Sequence, residues 1–140
     1  RAKGVDKAIV SDLLNARTEA QLYWSDTGSF GNFAMRTCPV NLTAAKSVFR
    51  DQTNNHAILL NKILADINTK SGGTVTAGSG NTSGYTNTTC FARAADNVFV
   101  IIAVLKSDPN FAWCIDSKGN SQKLATGDIF ITVNNTWGCR

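Results

Sequence analysis

The sequence lacks most of what a recognisable chemistry needs. Its longest unbroken apolar run, Val98 to Leu105, is eight residues, whereas about twenty are needed for a membrane-spanning helix, and no secretory leader is visible. There is one histidine, His56. No two cysteines stand close enough for a C-x-x-C pair, so no standard zinc pattern can be assembled. The Gly-Lys-Ser/Thr step that opens a phosphate-cradling helix is missing. No conventional nucleophile motif occurs, and a catalytic His56 would need a hydrogen-bonded partner for which there is no signature. His56 therefore reads as a surface residue. No basic block is interleaved with aromatics, so nucleic-acid contact has no footprint. These absences argue against an enzyme, a cofactor and a metal centre, and they predict a soluble chain.

What is present is globular. The 140 residues are 43% hydrophobic and 17% charged, neither disordered nor membrane-embedded in composition. This length is that of one domain able to bury its own core. Net charge is +4, from 14 basic and 10 acidic residues. That excess is compatible with weak attraction to DNA or anionic surfaces and is equally that of an ordinary solvated exterior.

The opening stretch reads as a helix with nothing to cap its front. Val5, Ile9, Leu13, Ala16, Ala20 and Tyr23 recur at steps of four, four, three, four and three, one apolar stripe on a helix. Val10 and Leu14 widen it, while Asp6, Lys7, Asp12, Arg17 and Glu19 fall outside it. Gly28 and Gly31 are stop signals. Beyond them, Cys38-Pro39 reads as an extended or turn unit, and Asn41 or Thr43 is placed to cap a short helix ending near Asp51. A second helix follows near 55–70, with Asn54 or Asn55 as cap, Leu59, Ile63, Leu64 and Ile67 on one face, and Ser71-Gly72-Gly73 as its end. Residues 71–89 then hold five glycines and no charge, the composition of a long surface loop.

From Cys90 the period becomes extended. "TCFARAA", "NVFVIIAVLK", "FAWCIDS", "SQKLA" and "IFITVN" read as strands, the second as a buried central one. The turns between them, "SDPN", "KGN" and "TGD", are short, so neighbours pair antiparallel in a meander of three to five strands. The predicted fold class is α+β. A long N-terminal amphipathic helix (1–25) leads through a helix-to-sheet region (26–89) to a C-terminal antiparallel sheet (90–140), and the helix stripe covers one face of that sheet.

Four cysteines, Cys38, Cys90, Cys114 and Cys139, are even in number and widely spaced, which favours two disulfides and an oxidising compartment over four unrelated buried thiols. Three connectivities are open, and spacing does not choose among them. Asn-x-Ser/Thr triplets begin at Asn41, Asn81, Asn87 and Asn134, mostly a consequence of a chain rich in Asn and Thr.

Taken together, these pieces carry a resemblance. The passage "EAQLYWSDTGSF" is similar to the common helix end of type IV pilins, where an aromatic pair precedes an Asp/Asn-x-Gly-x-aromatic turn. "FVIIAVLKSDPNFAWCIDSKGN" looks like the pilin hairpin of an apolar strand and an aromatic-Cys-x-Asp-Ser-x-Gly strand. "RAK" is similar to the point where pilins leave the membrane-embedded half of their first helix. In order and extent, nearly the whole chain resembles the globular domain of a type IV pilin.

The resemblance implies a function. The chain would be a structural subunit of an extracellular type IV filament used for adhesion, twitching motility or DNA uptake. Its partners would be other pilin subunits and the pilus assembly machinery. Arg1 would be a cut inside a longer helix whose missing apolar half anchors the subunit in the inner membrane before assembly. The resemblance also implies Cys114–Cys139, closing a C-terminal loop, and by remainder Cys38–Cys90; Cys90–Cys114 with Cys38–Cys139 is the alternative. Type II secretion pseudopilins, which form a periplasmic pseudopilus, are the second family resemblance and carry a calcium loop instead of that disulfide. Asp116, Asn120 and Asp128 are the residues available for such a loop, too few and scattered for a firm site. Ser or Thr glycosylation in the 71–89 loop is a further family expectation.

Overall fold

A computed structural model of the chain describes residues 1–75, 85–125 and 138–139. The first helix, α1, runs Ala2–Thr27. Ile9, Leu13, Ala16, Ala20 and Tyr23 are buried along it, and Val5 is half-buried against the same core. Gly28 ends α1 in the left-handed conformation (φ 79°), its N–H donating to the Trp24 carbonyl at 2.7 Å. A side chain there would be strained, which is why glycine suits this cap.

The stripe does not face the sheet alone. A second helix, α2 (Asn55–Lys70), is the most extensive neighbour of α1. Contacts of Glu19 with His56 and of Asp12 with Lys70 set the two helices antiparallel. Asn54 caps α2, its side-chain oxygen accepting from the His56 and Ala57 N–H groups. The buried face of α2 is Ala57, Leu60, Leu64 and Ile67, with Ile63 half-buried. Leu59 corrects the sequence reading: it is 46% exposed, because the core-facing stripe steps 57, 60, 64, 67 and leaves position 59 to one side.

The short helix expected before Asp51 is absent. Thr43 N–H donates to the Arg50 carbonyl at 2.8 Å and Gln52 N–H to the Thr43 carbonyl at 2.9 Å, making an isolated bridge between Thr43 and Asp51. The hydroxyls of Thr43 and Ser47 each accept from the N–H two residues on. Such local bonding draws Ser and Thr chains away from helix.

The strands are β1 (Phe33–Thr37), β2 (Thr74–Val75), β3 (Tyr85–Thr86), β4 (Thr88–Arg93), β5 (Val98–Val104), β6 (Phe111–Asp116) and β7 (Ser121–Ala125). Five of them form an antiparallel sheet in the order β1-β4-β5-β6-β7, and β2 pairs with β3 separately. The fold is thus α+β, with a long N-terminal helix on an antiparallel sheet. Sequence reasoning missed β1, an edge strand with one buried residue, Phe33, paired to a strand far along the chain. The 71–89 loop begins and ends in the β2–β3 pair, while residues 76–84 lie outside the described residues, as do "TGD" and "IFITVN".

All seven residues of β5 are buried. Phe99, Ile101 and Ala103 face the helices with Ile115. Val100, Ile102 and Val104 form a second core on the other face with Ala112, Cys114 and Leu124, flanked by Met35, Phe91 and Cys139. A strand covered on both faces explains why "VFVIIAV" shows no alternation.

Candidate functional site

The two disulfides lie on opposite faces of the sheet. Cys38–Cys90 belongs to the helix-side core and fastens the chain after β1 to β4 (Cα–Cα 5.8 Å). Cys114–Cys139 is on the far side and pins the chain near its end to β6 (Cα–Cα 5.7 Å). Beside the second bond sits Asp116, only 1% exposed. One carboxylate oxygen accepts from Lys118 N–H at 2.9 Å and Asn120 N–H at 3.0 Å; the other accepts from the Asn120 side-chain amide at 2.8 Å and Cys139 N–H at 2.9 Å. A Cβ on Gly138 would come within 2.9 Å of the latter oxygen. Asp116 and Asn120 therefore meet as acceptor and donor. Asp128 is outside the described residues. No group of three His, Cys, Asp or Glu among the described residues is arranged to hold a metal ion.

Several polar residues off the buried stripe of α1 have specific partners, which sequence reasoning did not anticipate. Asp6 accepts from Lys106 N–H at 2.7 Å, from Ser107 N–H at 3.2 Å and from the Ser107 hydroxyl. The Arg17 guanidinium reaches the Asn120 carbonyl at 3.5 Å. The Trp24 indole N–H donates to Asn97 Oδ1 at 2.8 Å; Asn97 sits at φ 55° in the turn after β4, a conformation Asn tolerates. Lys70 lies 2.8 Å from Asp12 and 2.7 Å from Asp66, and the hydrogen bond to Asp12, then that to Asp66, raises its pKa.

No protein-family model, no curated protein and no solved structure matches this chain. The geometry alone therefore bears on function, and two further regions matter.

Deep under α1, the Tyr23 hydroxyl donates to Asp51 Oδ2 at 2.9 Å. Burial pushes the Tyr23 pKa well above its ordinary value, and the adjacent carboxylate pushes it further. Burial also pushes Asp51 upward, but bonds from the Thr53 hydroxyl (2.5 Å) and N–H (2.9 Å), from Tyr23, and the Lys46 charge outweigh it and leave the carboxyl below its usual range. His56 is half-buried, not free on the surface as read from sequence: Nδ1 is 3.1 Å from Glu19 and Nε2 is 3.7 Å from Asp26. Its ring links α2 to α1.

Among the described residues, the opposite side of α1 has no such partners. Ser11, Leu14, Thr18, Leu22 and Ser25 form an exposed ridge, with Leu14 at 38% and Leu22 at 39%. The widening of the stripe expected at Leu14 is thus turned outward, whereas Val10 is half-buried. No helix among the described residues is long and apolar enough to cross a membrane. Of the glycosylation triplets, Asn41 is exposed. Asn87 is half-buried and bonded through its backbone to Gly73, Ser71 and Val104. Asn81 and Asn134 lie outside the described residues.

Proposed function

We propose that this chain is the globular part of a structural subunit of an extracellular type IV pilus, and that its activity is assembly. The observation that carries this reading is the two-sidedness of α1: a stripe from Ile9 to Tyr23 buried against α2 and the sheet, and a ridge through Leu14 and Leu22 left open. A long helix held by one face on its own sheet presents the other to neighbouring subunits. The Cys114–Cys139 closure supports the same reading, since it ties the chain near its end to the far side of the sheet. Against the pseudopilin alternative stands Asp116, whose oxygens already accept four N–H groups where a calcium ligand would need free lone pairs. In this reading the partners are other pilin subunits and the assembly machinery.

The test is made in the native host with antibody raised against this domain. Filaments sheared from the cell surface should label along their length. Leu14→Glu with Leu22→Glu should abolish those filaments while leaving the isolated domain folded. Labelling confined to the periplasm, with no surface filament, would overturn the pilus reading in favour of a pseudopilus.

A further inference from the structure

A cleft of about 360 Å³ lies between the first half of α1 and the end of the sheet, lined by Asp6, Lys7, Val10, Leu105, Trp113 and Lys123. Its size is at the low end for small-molecule sites, roughly 300–1,000 Å³. The floor is apolar: Leu105 is 3% exposed, and Val10 and Trp113 are half-buried. The indole of Trp113 is held in place by its N–H, which donates to Ser121 Oγ at 2.9 Å. The rim is cationic. Lys7 and Lys123 are both exposed, and among the described residues neither has a carboxylate within salt-bridge distance. Lys123 stands on β7 opposite Trp113, its ammonium 4.5 Å from the Phe111 ring centroid. The single acid, Asp6, is already occupied by the Lys106 and Ser107 N–H groups and the Ser107 hydroxyl.

We propose that this cleft is a binding site for a small aryl carboxylate, its ring lying on Trp113, Val10 and Leu105 and its carboxylate held between Lys7 and Lys123. An aromatic body is favoured because an indole held by its N–H bond to Ser121 lines the cleft, and aromatic rings pack on one another offset or edge-on. A carboxylate is favoured because Lys7 and Lys123, neither with a carboxylate at salt-bridge distance among the described residues, both line a cleft with an apolar floor, and hydrogen bonds between ionised partners are the stronger kind.

The test uses 2-naphthoate, with 2-naphthamide as its neutral analogue, and reads indole N–H signals by NMR. Trp113→Phe and Trp24→Phe assign the Trp113 and Trp24 signals among those of the chain's three tryptophans. Saturable movement of that signal by naphthoate is expected, with the Trp24 signal unmoved. Lys7→Gln with Lys123→Gln should weaken binding about tenfold, and the amide should bind wild type about tenfold more weakly. Val10→Glu, which fills the cleft and adds a negative charge, should abolish binding while the Trp24 signal reports an intact fold. Absence of saturation at millimolar naphthoate overturns the assignment, as does equal binding of acid and amide or indifference to the lysine changes.

Discussion

Replacing Asp116 by Asn changes one atom and removes a charge, and it tests how the C-terminal closure is held. The carboxylate accepts three backbone N–H groups, from Lys118, Asn120 and Cys139, and one side-chain amide. An Asn amide has one accepting oxygen, so its NH2 must face donors on one side. The Asn120 amide can turn over to present its oxygen; a backbone N–H cannot. At least one backbone donor is then unsatisfied in a site where the acceptor was 1% exposed, costing about 1–3 kcal/mol. The remaining bonds fall from charge-assisted to neutral, and the total comes to about 3 kcal/mol. The second arm is a cycle with Cys114→Ala and Cys139→Ala. Their 25-residue separation makes the disulfide worth about 3.5 kcal/mol. Once the chain end is released, Asp116→Asn loses only its contacts within the Lys118–Asn120 turn. The cycle should therefore show a coupling of about 1.5 kcal/mol. Urea unfolding followed by circular dichroism reads all four proteins. A cost for Asp116→Asn below about 0.5 kcal/mol, or the same cost with and without the disulfide, would refute the closure as described. So would a rise in Tm above about 3 °C on adding calcium, since the carboxylate would then be exchanging N–H groups for a cation.

Four further outcomes follow from the core. Leu13→Ala should cost about 2–5 kcal/mol in chemical denaturation and Leu14→Ala less than about 0.5, because Leu13 is buried in the core and Leu14 is exposed; equal costs would sink the stripe. Tyr23→Phe should cost about 2 kcal/mol at neutral pH, the worth of a buried bond to a charged acceptor. The folded-state pKa of Tyr23 lies above its ordinary 10.0, so its contribution is complete below pH 10.0 and is lost as pH rises towards the folded value. The wild-type advantage over Phe should therefore shrink in alkaline urea melts, and a constant advantage would contradict the assignment. For Asp51, held below its ordinary 3.8, the sign reverses: its contribution is complete above pH 3.8 and disappears in stronger acid, a loss that Asp51→Asn should not show. Gly72→Ala puts a methyl group against the Leu105 carbonyl, where neither backbone can yield without breaking the Gly72 N–H bond to Val104. A loss of about 2 kcal/mol or more in Tm-derived stability is expected, and a neutral result would mean that junction is loosely packed.

Periodic and local features were legible in the sequence, and long-range ones were not. The α1 stripe, the Gly28 stop, the Asn54 cap and the burial of "VFVIIAV" each depend on residues within a few positions. Leu59 was misplaced because the six apolar residues in "AILLNKIL" fit more than one helical face, and the partner chooses between them. β1 was invisible because "FAMRT" buries one side chain and takes its register from β4. The segment after Asn41 kept its Ser and Thr hydroxyls for its own backbone, a competition that a cap-based reading overlooks. Asp116 did carry a local signal: an acid two residues before a Lys-Gly-Asn turn is a common acceptor for that turn. Its fourth bond, to Cys139, had none. Cysteine spacing was equally silent on pairing.

The placement of α1 follows from antiparallel topology together with three polar residues. In a meander, successive turns fall at alternate ends of the sheet. The turns carrying Asn97 and Asn120 share one end, and the turn carrying Lys106 and Ser107 lies at the other. Trp24 and Arg17 reach the first end, and Asp6 reaches the second. Between Asp6 and Trp24 a helix rises about 27 Å, close to the roughly 23 Å of a seven-residue strand. The helix thus spans the sheet from end to end, each turn holding it at one point, while the Ile9–Tyr23 stripe sets its depth. None of these constraints involves the Leu14–Leu22 ridge. Substitutions there leave α1 seated, so the assembly proposal predicts that they act on assembly without acting on folding.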